Sequence, residues 1–274
     1  MLRGMAVVLG LLTAAEAAAQ EIRQEIKPVA GHQVSVVGDD TGTAWLVVDG
    51  ERVLEAGVIF LDGEAVMVGG VPVVTGVAGA GGNACGASPF VLALAEGATP
   101  ELYGPIESCR EFTLDLRPDA LLLSTEPLPS EPGEVWVWNP VTGLTEALPE
   151  EFSAETGRSW ETLPSLAGAH PVEAMQLAPV LQVLQTGLGA DYPVFAERIS
   201  DLGSGDLVPG GYLGRACLKL TCDADWAVLY LDAATEQVFA IWHVYGEVEN
   251  RIWPAETTQW PEAAMAVLRA EAGE

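Results

Sequence analysis

Basic side chains are scarce in this sequence. Among its 274 residues there are 12 Lys and Arg against 39 Asp and Glu, which gives a formal net charge of −27 at pH 7. Only two of the basic residues are lysines, Lys27 and Lys219. A nucleic acid is bound by a basic face, because its phosphates must be neutralised. The shortage therefore argues against a nucleic-acid partner, while the excess of acid would steer the protein toward strongly cationic partners.

Motifs of the common enzyme classes are also absent. The sequence contains no GxSxG, no HExxH and no EF-hand loop, and its three histidines lie far apart. The glycine-rich segment Gly76–Gly86 lacks the lysine of a phosphate-binding loop, so we interpret it as a disulfide-pinned loop between strands. We predict a protein that is not an enzyme and that holds neither a metal nor a cofactor. A small-ligand-binding protein or a secreted enzyme is the less favoured alternative.

Long apolar runs are missing except near the N-terminus. There Arg3 precedes the apolar segment Ala6–Ala14, and three alanines ending at Ala19 precede Gln20. This is the pattern of a secretory signal peptide over residues 1–19, cleaved near Ala19. The apolar segment is about half of the roughly 20 residues that a membrane-spanning helix needs. We expect a periplasmic or secreted protein with no membrane span after the signal peptide is removed.

Export changes the interpretation of the four cysteines, Cys85, Cys109, Cys217 and Cys222. An even number of cysteines in an oxidising compartment indicates disulfides. Three pairings are possible, and proximity in the chain favours Cys85 with Cys109 and Cys217 with Cys222. The CxxxxC spacing of the second pair differs from that of a zinc site.

The first half of the chain is typical of β-structure. Short apolar and β-branched runs alternate with turn residues from Val34 to Trp138. Asp49-Gly50 and Asp62-Gly63 each separate two such runs, and Asp-Gly is favoured in two-residue hairpins because both positions need positive φ. We predict an N-terminal all-β domain over residues 20–148, a sandwich or a barrel-like meander.

The composition changes after the β-rich half. Residues 149–170 are rich in Glu and Pro and are predicted to form a linker, and residues 171–274 are predicted to form an α+β domain. Apolar residues at helical spacing predict a helix over Val172–Leu188, bent or split by Pro179. The other predicted elements are a helix at Tyr192–Ile199, a flexible turn at Gly203–Gly211, strands at Tyr212–Leu220, Trp226–Leu231 and Gln237–Tyr245, and a closing helix over residues 258–271 with Thr258 as its N-cap.

The segment Gly211–Trp242 carries the most specific pattern in the sequence. It reads GYLGRACLKLTCDADWAVLYLDAATEQVFAIW: a strand entering a cysteine, four loop residues, a second cysteine, and a hairpin whose strands carry aromatics. This order resembles the inhibitor of vertebrate lysozyme (Ivy) family of periplasmic proteins, and the predicted helices before and after it also fit. The resemblance covers residues 165–274, about 40% of the chain. It implies an Ivy-like α+β domain with an antiparallel sheet and flanking helices.

The resemblance also implies a binding loop. In the Ivy family the disulfide loop protrudes and plugs the active-site cleft of lysozyme; it typically reads Cys-Lys-Pro-His-Asp-Cys, and its histidine is the inserted residue. The four loop positions here hold Leu218, Lys219, Leu220 and Thr221, so a leucine stands in place of the histidine. These four residues are the expected partner-binding loop, and a cationic lysozyme-like hydrolase is the expected partner. Because leucine cannot hydrogen-bond a catalytic carboxylate, an envelope structural or interaction protein that reuses the fold stays an alternative.

Overall fold

The structure, a computed structural model, describes residues 21–82 and 85–272 of the chain. The predicted signal peptide, residues 1–19, lies outside the described residues. The chain divides into two compact units. Among the described residues, the first unit takes in the chain up to Leu123 together with Trp136–Glu146, and the second takes in Ser124–Val135 and the chain from Ala147 onward. Within the described residues, no helix is long and apolar enough to cross a membrane.

The N-terminal half is built from antiparallel strands in three sheets. Their order is β1-β2-β3-β4 in the first sheet, β5-β7-β8-β9 with β6 on β7 in the second, and β10-β11-β12-β13 in the third. The strands are β1 Glu21–Glu25, β2 Val34–Gly38, β3 Ala44–Val48, β4 Glu51–Ala56, β5 Val58–Leu61, β6 Val66–Val68, β7 Val71–Gly79, β8 Ser88–Ala93, β9 Glu101–Tyr103, β10 Phe112–Leu116, β11 Leu121–Thr125, β12 Val135–Asn139 and β13 Gly143–Glu146.

The second sheet contributes to two hydrophobic cores, one on each face. Phe90 and Leu92 of β8 pack with Leu46 of the first sheet. Val91, which points the other way, packs with Trp138 of the third sheet. Every residue of β8 is buried because both of its faces are covered, which explains why its sequence, SPFVLA, is apolar after the first residue, Ser88. The N-terminal region is therefore all β, as predicted.

One of the two predicted Asp-Gly hairpin turns is present. Asp49 and Gly50 have φ angles of 52° and 85°, and β3 and β4 pair directly across them. The hairpin predicted at Asp62-Gly63 is wrong, because β5 and β6 both pair with β7. The N–H of Asp62 donates to the carbonyl oxygen of Thr75 on β7, at 3.0 Å. That hydrogen bond keeps the chain alongside β7 instead of turning it back.

The glycine-rich segment, predicted to be a loop, begins inside a strand. β7 continues through Gly79, and residues 83 and 84 of the predicted loop lie outside the described residues. A Cβ atom at Gly76 would collide with the carbonyl oxygen of Phe60 and lie 2.7 Å from the ring of Phe90. Glycine at this position therefore permits close packing of neighbouring strands rather than flexibility.

The second unit combines one antiparallel sheet with helices. The strand order is β14-β15-β16-β17-β18. The strands are β14 Leu202–Val208, β15 Gly211–Cys217, β16 Trp226–Asp232, β17 Gln237–His243 and β18 Arg251–Trp253; the α-helices are α1 Pro171–Met175, α2 Ala178–Leu188, α3 Tyr192–Ile199 and α4 Glu262–Ala272; and 3-10 helices span Trp160–Leu166, Gly189–Asp191 and Thr257–Gln259.

Both faces of this sheet are covered. Leu229 and Trp242 lie on the face that packs with Leu184 and Phe195 of the helices α2 and α3. The opposite face packs with the segment around Trp260 and with α4. All seven residues of β16, the central strand, are buried as a result. A sheet with helices on both faces agrees with the α+β organisation that the sequence predicts for this half.

The helical predictions hold with one shift. The helix predicted over Val172–Leu188 is split into α1 and α2, and Pro179 occupies the first turn of α2, where a missing N–H costs nothing. Tyr192–Ile199 forms α3 as predicted. The closing helix begins at Glu262, since Thr258 lies in the preceding 3-10 helix.

Two segments predicted to be irregular take part in the folded unit. The flexible turn predicted at Gly203–Gly211 is confined to Pro209 and Gly210: β14 occupies the segment as far as Val208 and pairs with β15 over seven residue pairs. A Cβ at Gly205 would collide with the Tyr212 hydroxyl, so glycine serves close packing here too. Within the segment 149–170, Leu163 and Leu166 are buried in the same core as the helices. Their apolar side chains, spaced three residues apart, carry that segment into the core.

Replacing Phe90 with alanine should destabilise the N-terminal unit by about 3–5 kcal/mol, because the ring is fully buried and its loss leaves a cavity. Urea unfolding measures the change. Phe60→Ala is the matched control, since that ring is 59% exposed and its loss should cost under about 1 kcal/mol. Equal losses for the two variants would contradict the double-sided burial of β8.

Candidate partner-binding site

The candidate site is a loop at one end of the C-terminal sheet. β15 ends at Cys217 and β16 begins at Trp226, and these two residues pair across the strands. A disulfide joins Cys217 to Cys222 and closes the loop. A second disulfide joins Cys85 to Cys109 in the N-terminal unit. Both pairings that chain proximity favoured are therefore confirmed.

Hydrogen bonds inside the loop hold its main chain. The N–H groups of Leu220 and Thr221 both donate to the carbonyl oxygen of Leu218, each at 3.1 Å. The N–H of Leu218 donates to the carbonyl oxygen of Asp225 at 2.9 Å, and the N–H of Asp225 donates back to Thr221 at 2.7 Å. The side chain of Leu220 is 98% exposed. The loop thus presents one apolar side chain from a fixed main chain.

A buried ion pair supports the base of the loop. The carboxylate of Asp225 is 2.6 Å from the Nη2 of Arg198, and both residues are about 6% exposed. The same carboxylate oxygen accepts a hydrogen bond from the N–H of Tyr245 at 3.0 Å. Arg198 also donates to the carbonyl oxygens of Val194, at 2.8 Å, and His243, at 3.0 Å. One ion pair therefore joins α3, the disulfide loop and the end of β17.

The surroundings of Asp225 favour its charged form. Burial raises the pKa of the carboxyl group, but hydrogen bonds from Tyr245, Arg198 and Thr221 and the positive charge of Arg198 lower it by more. The net effect is a pKa below the ordinary value of 3.8. Asp225 is therefore a carboxylate at neutral pH, as its role as a double acceptor requires.

Lys219 sits beside the exposed leucine. Its side chain is exposed, and its main-chain N–H donates to Oδ2 of Asp201 at 2.7 Å. Asp201 lies two residues beyond the end of α3. The loop is thus tied to the α3 side of the unit through Asp201 as well as through Arg198.

An acidic groove of about 530 Å³ lies next to the loop. Two of its carboxylates, Glu197 and Asp201, are on exposed residues. Glu197 lies 3.3 Å from the Nη1 of Arg198. A concave surface that combines carboxylates with aliphatic side chains suits the long side chain of an arginine or a lysine. The lining includes Leu128, Glu131, Val194, Glu197, Asp201 and Leu218.

The sequence predicts the disulfide loop but not the buried ion pair that supports it. Leu218, Lys219, Leu220 and Thr221 lie together between the two cysteines, and Leu220 forms the exposed tip. Arg198 and Asp225 were not predicted. Arg198 lies three residues after Phe195 on the apolar face of α3, and a charged residue at such a position is rarely buried without a partner. This position could therefore have predicted a buried ion pair, although not the identity of its acidic partner.

Within residues 21–82 and 85–272, no three His, Cys, Asp or Glu residues are grouped so that they could hold a metal ion.

Comparison with known proteins gives matches along most of the chain. The model of the Y4bG N-terminal domain matches residues 30–151, and the model of the inhibitor of vertebrate lysozyme (Ivy) matches residues 179–274. Protein y4bG of Sinorhizobium fredii, itself uncharacterized, is 31% identical over 246 residues, which cover 90% of this chain and 89% of that protein. The Ivy match confirms the resemblance seen in the sequence.

Similar solved structures include two neuraminidase-like proteins. The subtype N10 protein of A/little yellow-shouldered bat/Guatemala/060/2010 has a TM-score of 0.30 and 10% identity, over 85% of this chain and 69% of that one. The subtype N11 protein of A/flat-faced bat/Peru/033/2010 has a TM-score of 0.27 and 7% identity, over 81% of this chain and 56% of that one. At these scores the likeness carries no argument about fold or function.

Replacing Arg198 with methionine should destabilise the C-terminal unit by about 3–5 kcal/mol, because it leaves the Asp225 carboxylate buried without its cation. Denaturant unfolding, followed by tryptophan fluorescence, measures the change. Arg269→Met is the control: its ion pair with Glu262 lies on the surface, with side-chain exposures of 42% and 85%, and its loss should have little effect. A small effect at both positions would contradict the supporting role of Arg198.

Proposed function

The chain belongs to the y4bG protein family and carries an Ivy domain in its C-terminal half, and on this premise we propose that it is an exported binding protein. Its partner is a lysozyme-like hydrolase, and its disulfide loop is the part that enters the partner's cleft. The N-terminal β-region serves as an adaptor or as a second binding surface for a partner other than this hydrolase. The protein acts by binding and not by catalysis.

The observation that carries the proposal is the exposure of Leu220 at the tip of a fixed loop. A leucine that is 98% exposed gains about 1.5–3 kcal/mol when a partner buries it. The disulfide and the hydrogen bonds of the loop hold the tip before binding, so little entropy is lost when it is inserted. The same combination of rigidity and an exposed side chain suits a loop that fills a cleft.

The chemistry of the tip differs from that of a histidine. Leu220 cannot accept or donate a hydrogen bond, so it fits an apolar subsite of the cleft rather than its catalytic carboxylates. Lys219, the neighbouring residue, brings an ammonium group to the same edge of the loop. The charge of that group is complementary to a carboxylate in the partner's cleft.

Charge supports a cationic partner. The sequence carries a net charge of −27, and the groove beside the loop presents Glu197 and Asp201. Opposite charges accelerate the encounter of two proteins at low salt, and the acceleration is reduced as salt screens the charges. Export to the periplasm, with cleavage near Ala19, would bring the protein to the compartment where cell-wall hydrolases act and where its two disulfides are stable.

Replacing Leu220 with alanine should raise the dissociation constant for a c-type lysozyme by about 10- to 100-fold, the loss expected when most of a buried leucine is removed. Titration of the purified mature protein, by calorimetry and by lysozyme activity, measures the change at low and moderate salt. Lys219→Ala should weaken binding more at low salt than at moderate salt. Bacterial lytic enzymes are titrated in parallel to identify the preferred hydrolase.

The control for this experiment is Leu148→Ala. Leu148 is 90% exposed and lies outside the loop, so its removal should leave binding unchanged. If binding disappears at moderate salt and is indifferent to Leu220, the proposal is wrong, and the Ivy domain then serves an envelope structural or interaction role instead.

Removing the loop disulfide with Cys217→Ser and Cys222→Ser should weaken binding while costing only about 2 kcal/mol of stability, because the closed loop is short. The open loop must be ordered when it binds, which costs affinity. Cys85→Ser with Cys109→Ser is the matched control, since that disulfide lies in the N-terminal unit and its loss should leave the affinity unchanged. Unchanged affinity after removal of the loop disulfide would contradict the role of loop rigidity.

A further inference from the structure

A second loop lies beside the disulfide loop, at the same end of the sheet. It comprises residues 244–250, between β17 and β18. Trp226, the first residue of β16, pairs with Cys217, the last residue of β15, and with His243, the last residue of β17. The two loops therefore leave the same edge of the sheet. Asp225 then links the two loops directly. Its carboxylate accepts from the N–H of Tyr245, and its carbonyl oxygen accepts from the N–H of Leu218.

The second loop is fixed at both of its ends. His243 Nδ1 lies 3.0 Å from Oδ1 of Asn250, which joins the two sides of the loop base. Arg251 donates from Nε to Glu247 at 2.9 Å and from Nη1 to Asp191 at 2.8 Å. The pKa of the Glu247 carboxyl group is lowered by its hydrogen bonds with Arg251, so this pair is charged at neutral pH. The loop therefore has a defined shape before any partner arrives.

This fixed loop exposes two large apolar side chains. Tyr245 is 73% exposed and Val248 is 97% exposed. With Leu220, they place three exposed apolar side chains on two connected loops. Single exposed apolar residues are ordinary, but several of them on two ordered loops that are hydrogen-bonded to the same residue are typical of a contact surface. Tyrosine in particular is enriched among residues that dominate binding energy.

The size of a protein interface supports a contribution from both loops. A stable complex buries about 800 Å² on each partner and involves about 20–30 residues a side. A loop of four residues between two cysteines supplies only a small part of that area. The surface that continues from it must supply more, and the main-chain hydrogen bonds through Asp225 make residues 244–250 that continuation.

The charges around the two loops indicate the kind of partner. Asp223 follows the second cysteine of the disulfide loop and is exposed, and Glu249 in the second loop is exposed as well. Glu197 and Asp201 line the groove on the α3 side. Apolar tips surrounded by carboxylates suit a cationic protein whose basic residues border an apolar cleft.

We propose that Tyr245 and Val248 form a second contact for the same cationic hydrolase that receives Leu220, so that the two loops bind as one surface. This inference rests on the proposed function of the disulfide loop. The tip of that loop enters the cleft, and the second loop packs against the rim. Most changes in affinity within one interface arise from the dissociation rate, so this contact should lengthen the lifetime of the complex.

The test is binding of a c-type lysozyme to the full mature protein carrying Tyr245→Ala and Val248→Ser together. The dissociation constant should rise at least about tenfold, mainly through faster dissociation measured by surface plasmon resonance. The Asp225 hydrogen bond is kept, because it uses the main-chain N–H of residue 245. Val141→Ser with Leu148→Ala is the matched control: these side chains are 91% and 90% exposed and lie in neither loop.

Each outcome decides between the two proposals. If Leu220→Ala weakens binding and the Tyr245/Val248 variant binds like the wild type, the second contact is wrong and the disulfide loop acts alone. If the wild type binds no lysozyme at either salt concentration, both proposals fail. If the double variant folds poorly, Val248→Ser alone serves as the test, because Val248 is 97% exposed and its replacement should not disturb the fold. This variant should raise the dissociation rate about threefold or more. An unchanged rate would count against the second contact.

Discussion

The ion pair between Arg198 and Asp225 is the constraint on which the candidate site depends. It is buried, and it is the point where α3, the disulfide loop and the chain after β17 meet. A buried charge is tolerated only when its partners are complete, so moving any of these segments would leave a charge or an N–H unsatisfied. The position of the exposed tip at Leu220 is therefore fixed by the ion pair and hydrogen bonds at the base of the loop. A loop held this way can vary the chemistry of its tip without losing its geometry.

The contacts that hold the loop do not involve the side chain of Leu220, so the tip can differ from the usual Ivy sequence. The cysteines, the strands that flank them and the helices that cover the sheet follow the Ivy order, and residues 179–274 match the family. The tip, by contrast, carries a leucine. A histidine at the tip can hydrogen-bond charged groups of the partner, whereas a leucine can only bury apolar surface. The proposed target is therefore a hydrolase whose cleft offers an apolar subsite. In our proposal, the fold that holds the loop is the one shared with the Ivy family, and the residues at the tip of the loop determine which hydrolase is bound.

The sequence predicted the regular elements better than the contacts between them. Strands with mostly apolar sequences, such as β8 and β16, and the helix break at Pro179 follow from local patterns, because burial and the chemistry of proline restrict which residues occur there. β14 was missed because its glycines suggested flexibility, whereas they permit close packing: Gly205 against Tyr212 and Gly203 against Ala216. The disulfide loop was found from its cysteine spacing, whereas Asp225 is one of 39 acidic residues, and nothing local separates it from the rest.

Hydrogen exchange of the mature protein, measured with and without a c-type lysozyme, is the most direct test of the proposed binding surface. If the two loops bind as one surface, amides of residues 217–225 and 244–250 should exchange more slowly in the complex, with no change in β7 and β8 of the N-terminal unit. Protection confined to the N-terminal sheets, with the two loops exchanging as in the free protein, would contradict the proposed surface.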